Sequence, residues 1–251
     1  MTYQLTRREL LNIIDHTLLT PESTTSDIEH FLVDAQALGV QRVCISPAHL
    51  PLRSDNHEVV SAVAFLEVVT VIGFPSGAHT VSVKVAEAKR ALTDGATELD
   101  FVANLGLIKE KNFRDLEKEF TSLREVSAGH PLKVILETAC LSSREIIDAC
   151  SVARDTGCDF VKTSTGFHPA GGATMAAVEL MATTVGPQVG VKASGGIRTA
   201  DQVRQMLAAG ATRLGLSATH SILSEWDSGE RAEKTKSRDG DEQAHHHAAG
   251  Y

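Results

Sequence analysis

The stretch TGCDFVKTS, residues 156–164, sets a glycine between a helical pattern and a short apolar run, with a lysine inside the run. The same unit recurs as LGVQRVCIS (38–46), DGATELDFV (94–102) and AGATRLGLS (209–217). Gly39, Gly95, Gly157 and Gly210 stand where a left-handed residue closes a helix, and a strand follows about three residues later. NIID (12–15), EVVTVIGF (67–74), LKVILETA (132–139) and GVKAS (190–194) are further apolar runs, which makes eight. Helical patterns lie between most of them. Val81, Val85, Ala88 and Leu92 follow one stripe, and Ile146, Cys150 and Ala153 another. Near-continuous apolar runs suit parallel strands covered on both faces. Eight strand–helix units without a Pro/Gly-rich linker predict an α/β fold, a single (β/α)8 barrel over residues 1–226.

Counting five residues on from each of the four glycines gives Cys44, Asp100, Lys162 and Gly215, on the second, fourth, sixth and eighth strands. Alternate strands of such a barrel contribute side chains to one interior layer, so these four are expected at one level. Packing gives no reason for an Asp and a Lys there. GVKASGGIRT (190–199) then places a second lysine, Lys192, at the end of the seventh strand.

Bulk properties narrow the function. The 251 residues carry a net charge of −8 without a Lys/Arg cluster, which argues against a nucleic-acid partner. A small anionic substrate remains compatible, because local charge and helix ends can hold it. Cys44, Cys140, Cys150 and Cys158 show no CxxC spacing and read as free thiols in a reducing compartment. The N-terminal stretch lacks a signal-peptide h-region, and nowhere do 18 apolar residues run together, so a cytoplasmic protein without a membrane partner is expected. After Trp226 the chain turns polar and aperiodic, a flexible tail over 227–251. Its three consecutive histidines make a poor metal site, and its terminal Tyr251 is either a solvated end or an aromatic that folds back over a site.

A lysine near pKa 10.4 is almost wholly protonated at neutral pH and is no nucleophile. A second ammonium nearby and an apolar setting both disfavour the charge. Lowering that pKa by about 3 costs roughly 4 kcal/mol of differential interaction. Lys162 and Lys192 on neighbouring strands supply such a pair, leaving one as an amine able to attack a carbonyl and form an imine. Asp100 in the same layer pairs with the cationic partner and moves protons. The plain structural reading of a strand-end lysine is a snorkelling or salt-bridged side chain. Two lysines on adjacent strands, plus an Asp in the layer of Lys162, weigh against it.

SGGIRT (194–199) and GLSATH (215–220) follow the seventh and eighth strands, where barrels of this kind commonly bind phosphate. Gly166, Gly195, Gly196, Gly215 and Ser217 are the candidate cradle, with Arg198 either a contributor or an exposed helix-start residue. His16, His79, His168 and His220 lack metal-ligand spacing, and Cys44 reads as a small buried thiol. Lys133 and Glu137, four apart on the fifth strand, either support the lysine network or pair with each other.

ELDFVAN, LKVILETA, FVKTSTGF, GVKASGGIRT and LGLSAT, preceded by DHTLL and VIGFPSG, together resemble the deoxyribose-phosphate aldolases from about residue 10 to 225. The resemblance implies a class I aldolase that needs no metal or cofactor, commonly dimeric, in deoxyribonucleoside breakdown. It assigns Lys162 as the Schiff-base lysine, Lys192 as the second lysine that tunes it and relays protons, and Asp100 as proton donor and acceptor. Some relatives also end in an active-site tyrosine, which bears on Tyr251. Two departures stand out: Ala218 replaces the second serine of the phosphate loop, and Phe167 stands where some members carry a lysine. Rival readings are another Schiff-base phosphosugar lyase or transaldolase, a phosphosugar isomerase without an imine, and a silent phosphosugar binder.

Overall fold

The computed structural model describes residues 5–228. Tyr251 and all but the first two residues of the expected tail therefore lie outside the described residues. In chain order the elements run α1 (Arg7–Leu11), β1 (Ile14–Leu18), α2 (Thr25–Leu38), β2 (Arg42–Ile45) and α3 (His57–Val63). There follow β3 (Glu67–Ile72), α4 (Val81–Thr93), β4 (Glu98–Val102), α5 (Leu105–Lys109) and α6 (Phe113–Val126). The chain continues with β5 (Leu132–Ile135), α7 (Ser143–Asp155), β6 (Phe160–Lys162), α8 (Met175–Val185), β7 (Gly190–Ser194), α9 (Ala200–Ala208) and β8 (Arg213–Leu216). Residues 219–228 form a last helical segment, which runs through the boundary expected at 226.

The strands close in sequence order, each pair parallel, with β8 returning to β1. This is the expected (β/α)8 barrel. Gly39, Gly95, Gly157 and Gly210 all have φ between 79° and 105°, the left-handed region that a side chain disfavours. Local signals also start the helices: Thr24 with Asp27, Ser142 with Glu145, and Thr199 with Gln202 form capping boxes at α2, α7 and α9. Ile146, Cys150 and Ala153 face the barrel from α7 as the spacing predicts.

Two local expectations are corrected. The first strand is Ile14–Leu18 rather than 12–15, because Asn12 ends α1 and the strand runs on through the polar Asp15, His16 and Thr17. In α4 the buried face is centred on Lys84, Ala88 and Ala91, whereas Val81, Val85 and Leu92 flank it half-buried. Lys84 on that face is fully buried despite its charge.

Candidate active site

The strand register brings the predicted residues together. Lys162 and Lys192 are direct partners across β6 and β7. On β4, Asp100 sits opposite Lys133 of β5. All four side chains are buried in the barrel, and Lys162 alone of the three lysines has any exposure, 3% against 0% for Lys133 and Lys192. That exposure opens into a cavity of about 270 Å³ lined by Lys162 and by the ends and loops of β1, β6, β7 and β8.

Asp100 is the hub. Its Oδ2 accepts from Lys162 Nζ at 2.8 Å and from Lys192 Nζ at 2.7 Å, and its Oδ1 accepts from Lys133 Nζ at 2.9 Å. The two lysines predicted to act on each other directly are therefore joined through one carboxylate oxygen. Lys192 also donates to Asp15, whose other oxygen accepts from Arg213 Nη1 at 2.8 Å. Glu98 pairs with Lys133 and, at 3.2 Å, with Arg213. Lys133 thus belongs to the network, and the alternative pairing with Glu137 does not occur. Glu137 turns away at φ 56°, and its carboxylate accepts from the Thr165 N–H at 3.2 Å and the Thr165 hydroxyl at 2.5 Å. That contact ties the β5 loop to the β6 loop at the cavity wall.

Burial opposes ionisation of these carboxyls, but the surrounding cations outweigh it. Lys133, Lys162 and Lys192 hold Asp100 well below the usual carboxylate range. Lys192, Lys133 and Arg213 hold Asp15 at about 2. Burial likewise opposes the charge on Lys192, and Asp100 with Asp15 more than compensates, raising it above an ordinary lysine. Lys192 is accordingly a fixed cation and Asp100 a fixed anion in the resting site.

Cys44 is 1% exposed and its thiol is pushed up by burial, with Lys192 and Lys162 only partly opposing, so the inert reading holds. Together with Asp100 and Lys162 it sits on the expected interior layer. Gly215 completes that layer: a Cβ there would stand 2.9 Å from Ser194 Cβ and 3.2 Å from Lys192 Cε, so the missing side chain makes room for Lys192. His16 is neutral, lowered by burial to about 4, with Nδ1 2.8 Å from the Thr219 hydroxyl and its ring stacked on Phe31.

Gly166, Gly195, Gly196, Gly215 and Ser217 all line the cavity that Lys162 enters. Arg198 lines it too, while its backbone N–H is held by Gln202 Oε1 at 2.8 Å. Gly195 has φ 88° and packs backbone to backbone: a Cβ on Gly172 would stand 2.2 Å from Gly195 O, which accepts from the Ala173 N–H at 3.0 Å. Glycines there let the β6 and β7 loops close together over the strand ends. Sequence reasoning missed Asp15, Glu98 and Arg213 as network members, and Thr17, Thr20 and Ser194 as cavity residues. The DHTLL stretch was the available signal for the first, since an Asp interrupting an apolar run needs a partner.

Phe167 packs edge-on against Phe74 with ring centroids 5.3 Å apart and closes one side of the cavity. It is 45% exposed, so its bulk rather than its burial is what a substrate meets.

Comparison with known proteins matches the barrel over nearly its whole length. The model of the DeoC/LacD family aldolases matches residues 10–223. The chain is 52% identical over 221 residues to the deoxyribose-phosphate aldolase of Corynebacterium diphtheriae, covering 88% of this chain and 98% of that protein. The Mycobacterium tuberculosis deoxyribose-phosphate aldolase is 48% identical over 227 residues, with 89% and 98% covered. Among solved structures, the tetrameric deoxyribose phosphate aldolase of Aeropyrum pernix superposes with a TM-score of 0.79 at 31% identity, covering 89% of this chain and 93% of that one. With a buried lysine pair bridged by an aspartate at the mouth of a (β/α)8 barrel, and matches spanning nearly the whole of it, this chain belongs to the DeoC/LacD family of aldolases.

Proposed function

We propose that this chain is a 2-deoxyribose 5-phosphate aldolase, cleaving its substrate reversibly to glyceraldehyde 3-phosphate and acetaldehyde through an imine on Lys162. The observation that carries the assignment to Lys162 is its place: of the three lysines around Asp100, it alone lines the cavity, and it alone has a single carboxylate partner. Lys133 and Lys192 are each held by two carboxylates. Four interior cations, Lys133, Lys162, Lys192 and Arg213, face three carboxylates, Asp15, Glu98 and Asp100. The set holds one more cation than carboxylate, and Lys162 is the member that the cavity reaches.

The uncharged Lys162 amine adds to the C1 aldehyde of the open-chain sugar, and loss of water leaves a protonated imine. Acetaldehyde has two carbons, so the bond that breaks is C2–C3. A base takes the C3 hydroxyl proton, the C2–C3 electron pair moves into the iminium, and glyceraldehyde 3-phosphate leaves. The remaining enamine is protonated at C2, and water releases acetaldehyde and restores the amine. Asp100, held ionised, is a proton acceptor at rest and a donor only after it has been loaded. Its Oδ2 touches both lysines, so it takes up and returns protons beside Lys162 while Lys192 holds it ionised, and it stabilises the iminium charge.

The phosphate end lies against Gly195, Gly196, Gly215 and Ser217, at the loops that precede α9 and the 219–228 helix. Backbone N–H groups do not depend on the second serine, so Ala218 removes one hydroxyl and leaves the cradle. Lys162→Ala is expected to lower the cleavage rate of 2-deoxyribose 5-phosphate by roughly 10⁴-fold or more. Cleavage by the folded variant near the wild-type rate would overturn the assignment.

A further inference from the structure

The third lysine of the network has no part in the cycle above. Lys133 is fully buried, does not line the cavity, and reaches Lys162 only through Asp100, on the opposite carboxylate oxygen. A lysine in the middle of a strand, buried beneath an active site, is costly to ionise unless something requires its charge. We infer that Lys133 is a positioning residue for the aldol reaction, whose positive charge below Asp100 sets the protonation of the Lys162 amine. The inference rests on Lys162 as the imine lysine.

The charge count gives the reason and its sign. Every element packed against Lys162 bears on the count. Lys192 comes from β7, Lys133 from β5, Asp100 and Glu98 from β4, Asp15 from β1 and Arg213 from β8. Cys44 of β2 and His16 of β1 are uncharged, and Glu137 just past the end of β5 is engaged by Thr165. At the outer end Arg42, 2.6 Å from Glu67 and 3.3 Å from Glu98, adds with Glu67 one charge of each sign and leaves the difference unchanged. With Lys162 protonated the set is one positive charge in excess, and with Lys162 as an amine it is balanced. Take Lys133 away and the protonated state becomes the balanced one, so Asp100 keeps Lys162 as an ammonium. Take Glu98 away and the excess doubles, so the proton leaves more readily. Phe160, whose ring lies 5.9 Å from Lys133 Nζ and 5.1 Å from the Arg213 guanidinium, favours both cations and offers neither a proton.

Two variants of opposite sign test this: Lys133→Met and Glu98→Gln. The readout is the pH dependence of kcat/KM for cleavage, whose limb reports the free enzyme. A unit charge at this range, in a site of intermediate dielectric, moves the limb by about one pH unit or more. The expected result is an alkaline displacement for Lys133→Met and an acid displacement for Glu98→Gln. A merely structural lysine would lower activity in both variants without displacing the limb, or displace both the same way, and either result overturns the inference. Should one variant fail to fold, the other carries the test, because its direction is fixed in advance. Trapping of an acetaldehyde adduct on Lys162 of the unaltered enzyme is run alongside. Its failure sinks the imine reading itself, whereas a trapped adduct with unmoved limbs sinks only the role of Lys133.

Discussion

Buried lysines occur in two settings, three inside the barrel and one between the barrel and its helices. Outside, Lys84 of α4 pairs with Glu119 of α6 and donates to Val102 O at 2.7 Å, while Glu119 accepts from the Asn104 N–H at 3.1 Å. The ion pair there is one to one, with Glu87 of α4 a further carboxylate acting on Lys84. Burial pushes Lys84 down and Glu119 up, each towards its neutral form, and each is restrained by the other. Inside, around Asp100, cations exceed carboxylates by one and the lysines share an oxygen. Burial alone therefore does not make a lysine reactive. The balanced pair locks the β4 end to two helices, and the unbalanced set leaves one proton to be moved.

The sharpest contrast lies in what each lysine costs when removed. Lys84→Met strands a buried carboxylate and leaves Val102 O without its donor, so a loss of about 3–5 kcal/mol of stability is expected in urea unfolding. Activity per folded molecule should be nearly unchanged. Replacing both partners together, Lys84→Met with Glu119→Leu, should recover much of that loss. A double variant as unstable as the single one would mean that the pair is more than a balanced lock.

The interior set is expected to answer in the opposite currency, through rate and pH. Lys192→Leu removes the fixed cation beside Lys162, so the amine should form only at higher pH, with activity at neutral pH down by roughly 10²-fold. An unchanged pH profile would remove Lys192 from any tuning role and leave it as a support for Asp15.

Much of this was legible beforehand, and the misses have a common cause. The barrel followed from apolar runs spaced by left-handed glycines, because those residues answer to local backbone requirements. Lys162, Lys192 and Asp100 stood out as charges inside apolar strands. Asp15 did not, because the NIID run was expected to end at it, where a carboxylate reads as a strand end; the strand in fact carries it inside Ile14–Leu18. Lys84 was hidden for the mirror reason: on an amphipathic helix a lysine reads as the wet face, and its partner is 35 residues away. Repulsion between the two lysines and the pairing of Asp100 with the cationic one were foreseen, whereas the contact of a single Asp100 oxygen with both lysines was not.

A smaller effect concerns acid. Asp15 is held at about 2 against an ordinary value of 3.8, so its contribution to stability is present above about pH 4 and is lost as pH falls towards 2. The amount is on the order of 2 kcal/mol. Unfolding free energies measured across that window should fall more steeply for the native protein than for Asp15→Asn. Equal slopes would show that Asp15 is not among the groups whose protonation unfolds the barrel.

The most direct measurement is borohydride reduction in the presence of acetaldehyde, followed by intact mass and peptide mapping. One ethyl group on Lys162, with Lys84, Lys133 and Lys192 unmodified, is the expected result, since of these buried lysines Lys162 alone lines the cavity. An adduct on Lys192 would exchange the two lysines' roles within the same chemistry. No adduct on the folded enzyme would contradict the account at its centre.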